Sequence, residues 1–150
     1  MKSIEIFTDG ACRGNPGPGG WGAILRYGDK IKEIFGPDEE SGLTSNNRME
    51  LIAAIKALSS LREVCDVTLY SDSKYVTSGI NEWLEGWKKN NRLIPGRKQS
   101  VKNHDLWLLI IPLLDLHSVT CVWVKGHSGH KENKRADWLA NQGCDLSVSP

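Results

Sequence analysis

From Ser3 to Asp9 polar and apolar residues alternate, which predicts a strand with one buried face. Gly10 to Gly22 is dense in Gly, Pro and Asn and reads as a loop. Ala23–Tyr27 and Lys30–Phe35 read as two more strands, joined by a turn at Gly28-Asp29. Leu51, Ile55, Leu58 and Leu61 then recur at helical spacing, so a helix capped by Asn46 or Asn47 is expected to run to about Leu61. Val67–Tyr70 is a short apolar strand leading into Asp72. Helical patterns follow over roughly 74–81, 82–89 and 103–115, with Pro112 expected to kink or end the last of them. Val119–Val124 reads as a final strand, and a helix from about 130 closes near Gly143. Strands joined by short turns, then strands separated by helices, predict an α/β protein with a mixed sheet and helices on both faces. No repeat or linker divides residues 1–150, so a single domain is expected.

The chain of 150 residues, 39% hydrophobic, is long enough to bury one core. No apolar run approaches the ~18–20 residues that span a bilayer. The segment MKSIEIFTDG has one lysine followed by a strand pattern and is not read as a signal peptide. Cys12, Cys65, Cys121 and Cys144 are widely spaced, which favours reduced thiols in the cytoplasm. A zinc set of Cys121, His127, His130 and Cys144 fits no standard spacing. The net charge of +1 is unevenly distributed. Lys88, Lys89, Arg92, Arg97, Lys98 and Lys102 crowd the stretch from Gly86 to Lys102 without an acid, leaving −5 elsewhere. A basic protrusion over about 82–102 suits a polyanion, although a merely solvated loop has the same composition.

Two familiar patterns fail on context. Gly17 to Gly22 matches GxGxxG, but a strand follows where the dinucleotide fingerprint needs a helix. Ser71 to Lys74 matches SxxK without the partner motifs of serine acyl enzymes.

Four acids remain. Asp9 and Asp72 each end an apolar strand, where an Asp is often only a turn residue. If both strands are central and parallel, the two carboxylates lie side by side at the sheet end where α/β proteins place their sites. Glu50 sits one turn into a helix, flanking its apolar face, and Asp137 lies among Ala136, Leu139 and Ala140 as a half-buried acid in need of a partner. Four converging carboxylates repel unless divalent cations occupy the site, and such a set suits phosphodiester hydrolysis. His127, in the Gly-flanked VKGHSGH, is placed to shuttle protons near neutral pH.

TDGACRGNPGPGGWG, NNRMEL, YSDS, GWKKN, VKNHDLW, VKGHSGH and RADWLA occur in an order and spacing that resemble the bacterial type of ribonuclease HI over roughly residues 3–144. The resemblance implies a five-stranded sheet and hydrolysis of the RNA strand of RNA–DNA hybrids, leaving 5′-phosphate and 3′-hydroxyl ends. It implies that Asp9, Glu50, Asp72 and Asp137 hold two Mg²⁺ ions, with Mn²⁺ able to substitute, and that His127 assists proton transfer or product release. By the same resemblance Gly10, Cys12, Asn15, Asn46 and Lys74 meet the hybrid near the cut. Tyr75 and Trp83 form a channel for the DNA strand, and Ser45 and Asn103 form a phosphate pocket. Lys88 and Lys89 belong to the basic lobe, and the protein works as a monomer. The chain departs from the pattern at Lys74, where Gln or Met can stand, at Arg92 to Pro95, and at Trp138. A DNA-directed nuclease or integrase of the same fold, and a hybrid-binding module without catalysis, are the alternatives.

Overall fold

The computed structural model describes residues 1–40, 43–126 and 131–148. The sheet has five strands in the order β3-β2-β1-β4-β5, formed by β1 (Lys2–Cys12), β2 (Gly19–Tyr27), β3 (Lys30–Pro37), β4 (Cys65–Ser71) and β5 (Ser118–Trp123). The first three strands pair antiparallel, while β4 runs parallel to β1 and β5 parallel to β4. β1 is therefore central, and its run Ile6–Asp9 is buried.

Neighbouring residues on a strand point to opposite faces, and both faces here are covered. Ile6 and Ala23 join the larger core with Leu51 and Leu58 of α1 (Asn46–Ser59) and with Val67, Leu69 and Trp107. Their neighbours Phe7 and Ile24 pack on the other face against Leu139 of α5 (Lys131–Val148). Burying each such side chain stabilises the fold by roughly 1.5–3 kcal/mol. The helix stripe expected from Leu51, Ile55, Leu58 and Leu61 is widened by Met49, Ala53, Ala54 and Ala57, all fully buried. The cap of α1 falls one residue before the expected asparagines. Ser45 is the N-cap, its Oγ accepting from the Arg48 N–H at 3.2 Å.

The glycine-rich segment is strand at both ends, and only residues 13–18 connect β1 to β2. A Cβ on Gly20 would stand 2.2 Å from the backbone nitrogen of Cys144 and 2.5 Å from the carbonyl carbon of Gly143. The glycines of β2 thus let α5 lie against the sheet, a packing requirement that resembles loop composition in the sequence. For the same reason α5 does not close at Gly143 but runs on to Val148, with Gly143 lying against the Gly36 carbonyl.

The two helices expected over 74–89 are one continuous helical run: α2 (Lys74–Ser78), a π-helical turn Gly79–Trp83 and α3 (Leu84–Lys89). Gly79 faces the ring of Trp107, which is fully buried and donates its indole N–H to the Tyr75 hydroxyl at 2.9 Å. Packing is thus the role of Trp107. α4 (His104–Leu116) continues through Pro112 instead of ending there. Pro112 has no N–H to give the Leu108 carbonyl, and Leu108 lies on the exposed face of the helix. Among the described residues no helix is long and apolar enough to cross a membrane.

Candidate active site

Thr8 of β1 pairs in parallel register with Ser71 of β4. The next residue on each strand is therefore an aspartate at the same end of the sheet, and Asp9 and Asp72 stand side by side. The third carboxylate comes from α1. Gly10 has no side chain because the helix backbone occupies that space, a Cβ there falling 2.3 Å from the Glu50 nitrogen. The Gly10 N–H donates to Glu50 Oε1 at 2.5 Å and to Asp9 Oδ1 at 3.0 Å, which fixes both carboxylates at the end of β1. Asp9, Glu50 and Asp72 each offer an oxygen within 4.8 Å of the other two.

The three acids differ in exposure. Asp9 is 9% and Glu50 8% exposed, whereas Asp72 lies open to solvent. Burial pushes the Asp9 carboxyl up to about 7, with the charges of Asp72 and Asp137 adding to the rise and the Glu50 hydrogen bond opposing it. Burial and the neighbouring Asp9 also hold the Glu50 carboxyl well above its usual range. Glu50 Oε2 is buried without a hydrogen-bond partner, which is costly for a carboxylate unless a cation completes its shell. This donor set fits a hard divalent cation: all oxygen, clustered, and partly protonated without one.

Asp137 is reached from the far side of the sheet. It is exposed on α5 rather than half-buried, the buried stripe being Ala136, Leu139 and Ala140. Its side chain comes close enough to Asp9 to raise that carboxyl by hydrogen bonding and by charge. His127, like His130 of the discounted zinc set, lies outside the described residues.

The residues expected to meet substrate fall in several places on the fold. Asn15, Ser45 and Asn46 line a polar depression of about 460 Å³ together with Pro16, Asn47 and Lys102. Asn15 Oδ1 accepts from the Asn46 N–H at 3.2 Å, bracing one wall. Cys12 donates its thiol to the Gly14 carbonyl at 2.7 Å. Asn103 is buried in a left-handed conformation (φ 63°), its amide donating to the Tyr75 hydroxyl while Oδ1 accepts from Arg48. Tyr75, Trp83, Trp87 and Trp107 form a chain of rings with neighbouring centroids 5.4–6.3 Å apart. Trp83 is the one exposed member, at 40%. Lys88 pairs with Glu85 at 2.9 Å on the exposed face of α3. The basic segment after α3 is pinned by buried Leu93 and by a backbone bond from Val101 to Arg92.

Two residues near the site were not singled out by sequence reasoning. Arg48 ties Asn103, Asp105 and Glu40 together at the start of α1. Trp123 donates its indole N–H to the backbone carbonyl of Asp72 at 3.1 Å. No local pattern in the sequence marks it, since the bond joins two strands that only the sheet order brings together.

A family model described as RNase H matches residues 1–145. A ribonuclease H of Rhizobium johnstonii is 57% identical over 145 residues, covering 97% of this chain and 93% of that protein. Among solved structures, LC9-RNase H1, a type 1 RNase H with the type 2 active-site motif, superposes with a TM-score of 0.86 at 25% identity, covering 99% of this chain and 74% of its own. LC11-RNase H1, solved in complex with RNA/DNA hybrid, shares the fold with a TM-score of 0.71 at 23% identity, covering 97% and 99% of the two chains.

Proposed function

The chain belongs to the RNase H family, and from that premise we propose that it cuts the RNA strand of RNA–DNA hybrids with two divalent cations, leaving 5′-phosphate and 3′-hydroxyl ends. The observation that carries this reading is the convergence of Asp9, Glu50 and Asp72 from three elements, with one buried Glu50 oxygen lacking any partner. Asp9, Glu50, Asp72 and Asp137 would hold two Mg²⁺ ions, or Mn²⁺ in their place. Bound there, the ions supply a water of lowered pKa and positive charge at the leaving 3′-oxygen.

The chain's own groups divide the remaining work. Gly10 holds the two buried carboxylates in fixed orientation, while Asp72 and Asp137 join the cluster from exposed positions. RNA is told from DNA by its 2′-hydroxyls in a wide, shallow groove. Asn15, Asn46, Lys74 and the backbone from Gly10 to Cys12 supply the donors and acceptors that read them, as the likeness to the family supports. Exposed Trp83, backed by Tyr75, offers a stacking face to the DNA strand. Ser45 and Asn103 grip a DNA phosphate away from the cut, and His127 moves a proton or eases product release. The enzyme works as a cytoplasmic monomer. Its four cysteines are unpaired, as a reducing compartment requires, and a dimer in light scattering would count against the monomer.

The deciding experiment offers a matched RNA–DNA hybrid and the all-DNA duplex to the protein with Mg²⁺. Cleavage of the RNA strand alone, stopped by EDTA, is the expected outcome. Cuts in the DNA duplex would move the chain to DNA-directed chemistry on the same fold, and hybrid binding without any cut would make it a binding module. In this assay His127→Ala should lower kcat ~10²-fold or less with KM little changed. Wild-type kcat with a lowered melting temperature would make that histidine structural.

The basic lobe has its own test. Removing Lys88 and Lys89 together should flatten the dependence of log K on log salt by up to ~2 units if each meets a phosphate. Breaking the Lys88–Glu85 pair leaves a free acid, so Glu85→Gln belongs in the comparison. An unchanged slope would mark the lobe as a solvated loop.

A further inference from the structure

Lys74 lies two residues beyond Asp72, exposed at the rim of the site, on a side chain with four rotatable bonds. Its ammonium stands 4.8 Å from the ring centroid of Trp123, over the face of the indole. Trp123 ends β5, where it pairs with Ser71, and Val124 adds a backbone bond to the Ser71 carbonyl at 2.9 Å. The indole N–H is spent on the Asp72 carbonyl at 3.1 Å. The ring is thus anchored by its strand and by its own N–H to the segment that carries Asp72. It is nevertheless 42% exposed, so one face stays open to the rim of the site. What it packs is a cation, and a lysine over an indole face is attracted by the ring quadrupole.

We propose that Trp123 is a positioning residue for Lys74, holding the ammonium at the lip of the carboxylate site as an ionic contact to a phosphate of the bound hybrid. The proposal rests on the hybrid-cleaving reading above. The ring narrows the orientations Lys74 would otherwise sample, so less freedom is lost when substrate arrives. A lysine here makes the contact electrostatic and salt-dependent. A neutral amide in its place would hydrogen-bond without releasing counterions.

The test is a double-mutant cycle read by steady-state cleavage of a matched hybrid across a salt series. Lys74→Gln should flatten the slope of log KM against log salt by about one unit. Trp123→Leu should raise KM about two- to fivefold at moderate salt, the worth of an exposed cation–π contact, with kcat held and part of the same flattening. Trp123→Leu added to Lys74→Gln should leave KM and its salt slope where Lys74→Gln put them, because the ammonium that the ring positions is gone, whatever the lost bond to the Asp72 carbonyl does to both backgrounds alike. Trp123→Phe keeps an aromatic face and should recover most of the wild-type slope. Equal losses from Trp123→Leu in both backgrounds, or a slope unmoved by either single variant, would overturn the proposal. Failure of the wild-type protein to cut hybrids would instead strike the functional reading, so the two failures are distinguishable.

Discussion

Replacing Asp9 by Asn should abolish cleavage and, in EDTA, raise the melting temperature. Both effects come from the same charge. Asp9 is buried beside Glu50 and within reach of Asp72 and Asp137, so its ionised form is unstable without a cation. Its carboxyl titrates near 7 in the folded chain against an ordinary value of 3.8. Between those values the folded protein keeps a proton that the unfolded chain has released, so metal-free stability falls as pH rises through that window. Glu50, raised in the same direction, steepens the fall. Thermal scans in EDTA at pH 5 and pH 8 should therefore show wild type losing stability and Asp9→Asn losing less. Each kcal/mol of repulsion removed is worth roughly 2–4 °C in a domain of this size. Saturating Mg²⁺ should raise the wild-type melting temperature at pH 8 and do little for the variant. Retained activity in Asp9→Asn, or a variant as pH-sensitive as wild type, would contradict the assignment of Asp9 as a cation ligand.

Gly10→Ala should do the widest damage of any single methyl group near the site. The added carbon would fall 2.3 Å from both the Glu50 nitrogen and the Met49 carbonyl carbon. Both atoms belong to the backbone of α1, which can yield only by moving the helix away from β1. Overpacking of this kind costs about 1–3 kcal/mol or more. The same displacement carries Glu50 away from Asp9, and a misplacement of ~1 Å can cost on the order of 10² in rate. Circular-dichroism melts and kcat measured together should both fall. Gly86→Ala is the control, since nothing stands within 4 Å of its Cβ position, and a helical Ala there should if anything stabilise. A Gly10→Ala protein with native melting temperature and native kcat would mean that α1 does not need its close approach to the sheet.

The strand-terminal aspartates were legible because hydrophobic alternation marks where a strand ends, and parallel pairing then sets Asp9 beside Asp72. Glu50 was legible as a residue but not in its burial. The buried face of α1 is widened by Met49, Ala53, Ala54 and Ala57, which a stripe of four aliphatic residues does not reveal. The glycine segment misled because close backbone approach and turn-forming select the same residue. Ser45 took the cap from the asparagines because it is the residue placed to accept from Arg48, while the Asn46 N–H turns instead to Asn15. Trp123 escaped notice because its importance lies in a bond across to the neighbouring strand's end, which no local pattern encodes.

The strand order β3-β2-β1-β4-β5 also schedules assembly. The first three strands form a local meander that a nascent chain can close on its own, whereas pairing Lys2 with Cys65 must wait for the intervening chain. Asp9 is laid down first, Glu50 arrives with α1, Asp72 only with the long-range parallel closure, and Asp137 with the last helix. The full set of like charges is thus complete only when the long-range parallel pairing and the last helix are both in place. On this topology the carboxylate cluster depends on the most distant pairings in the chain, and loosening β4 or α5 would withdraw Asp72 or Asp137 while the meander carrying Asp9 stayed paired.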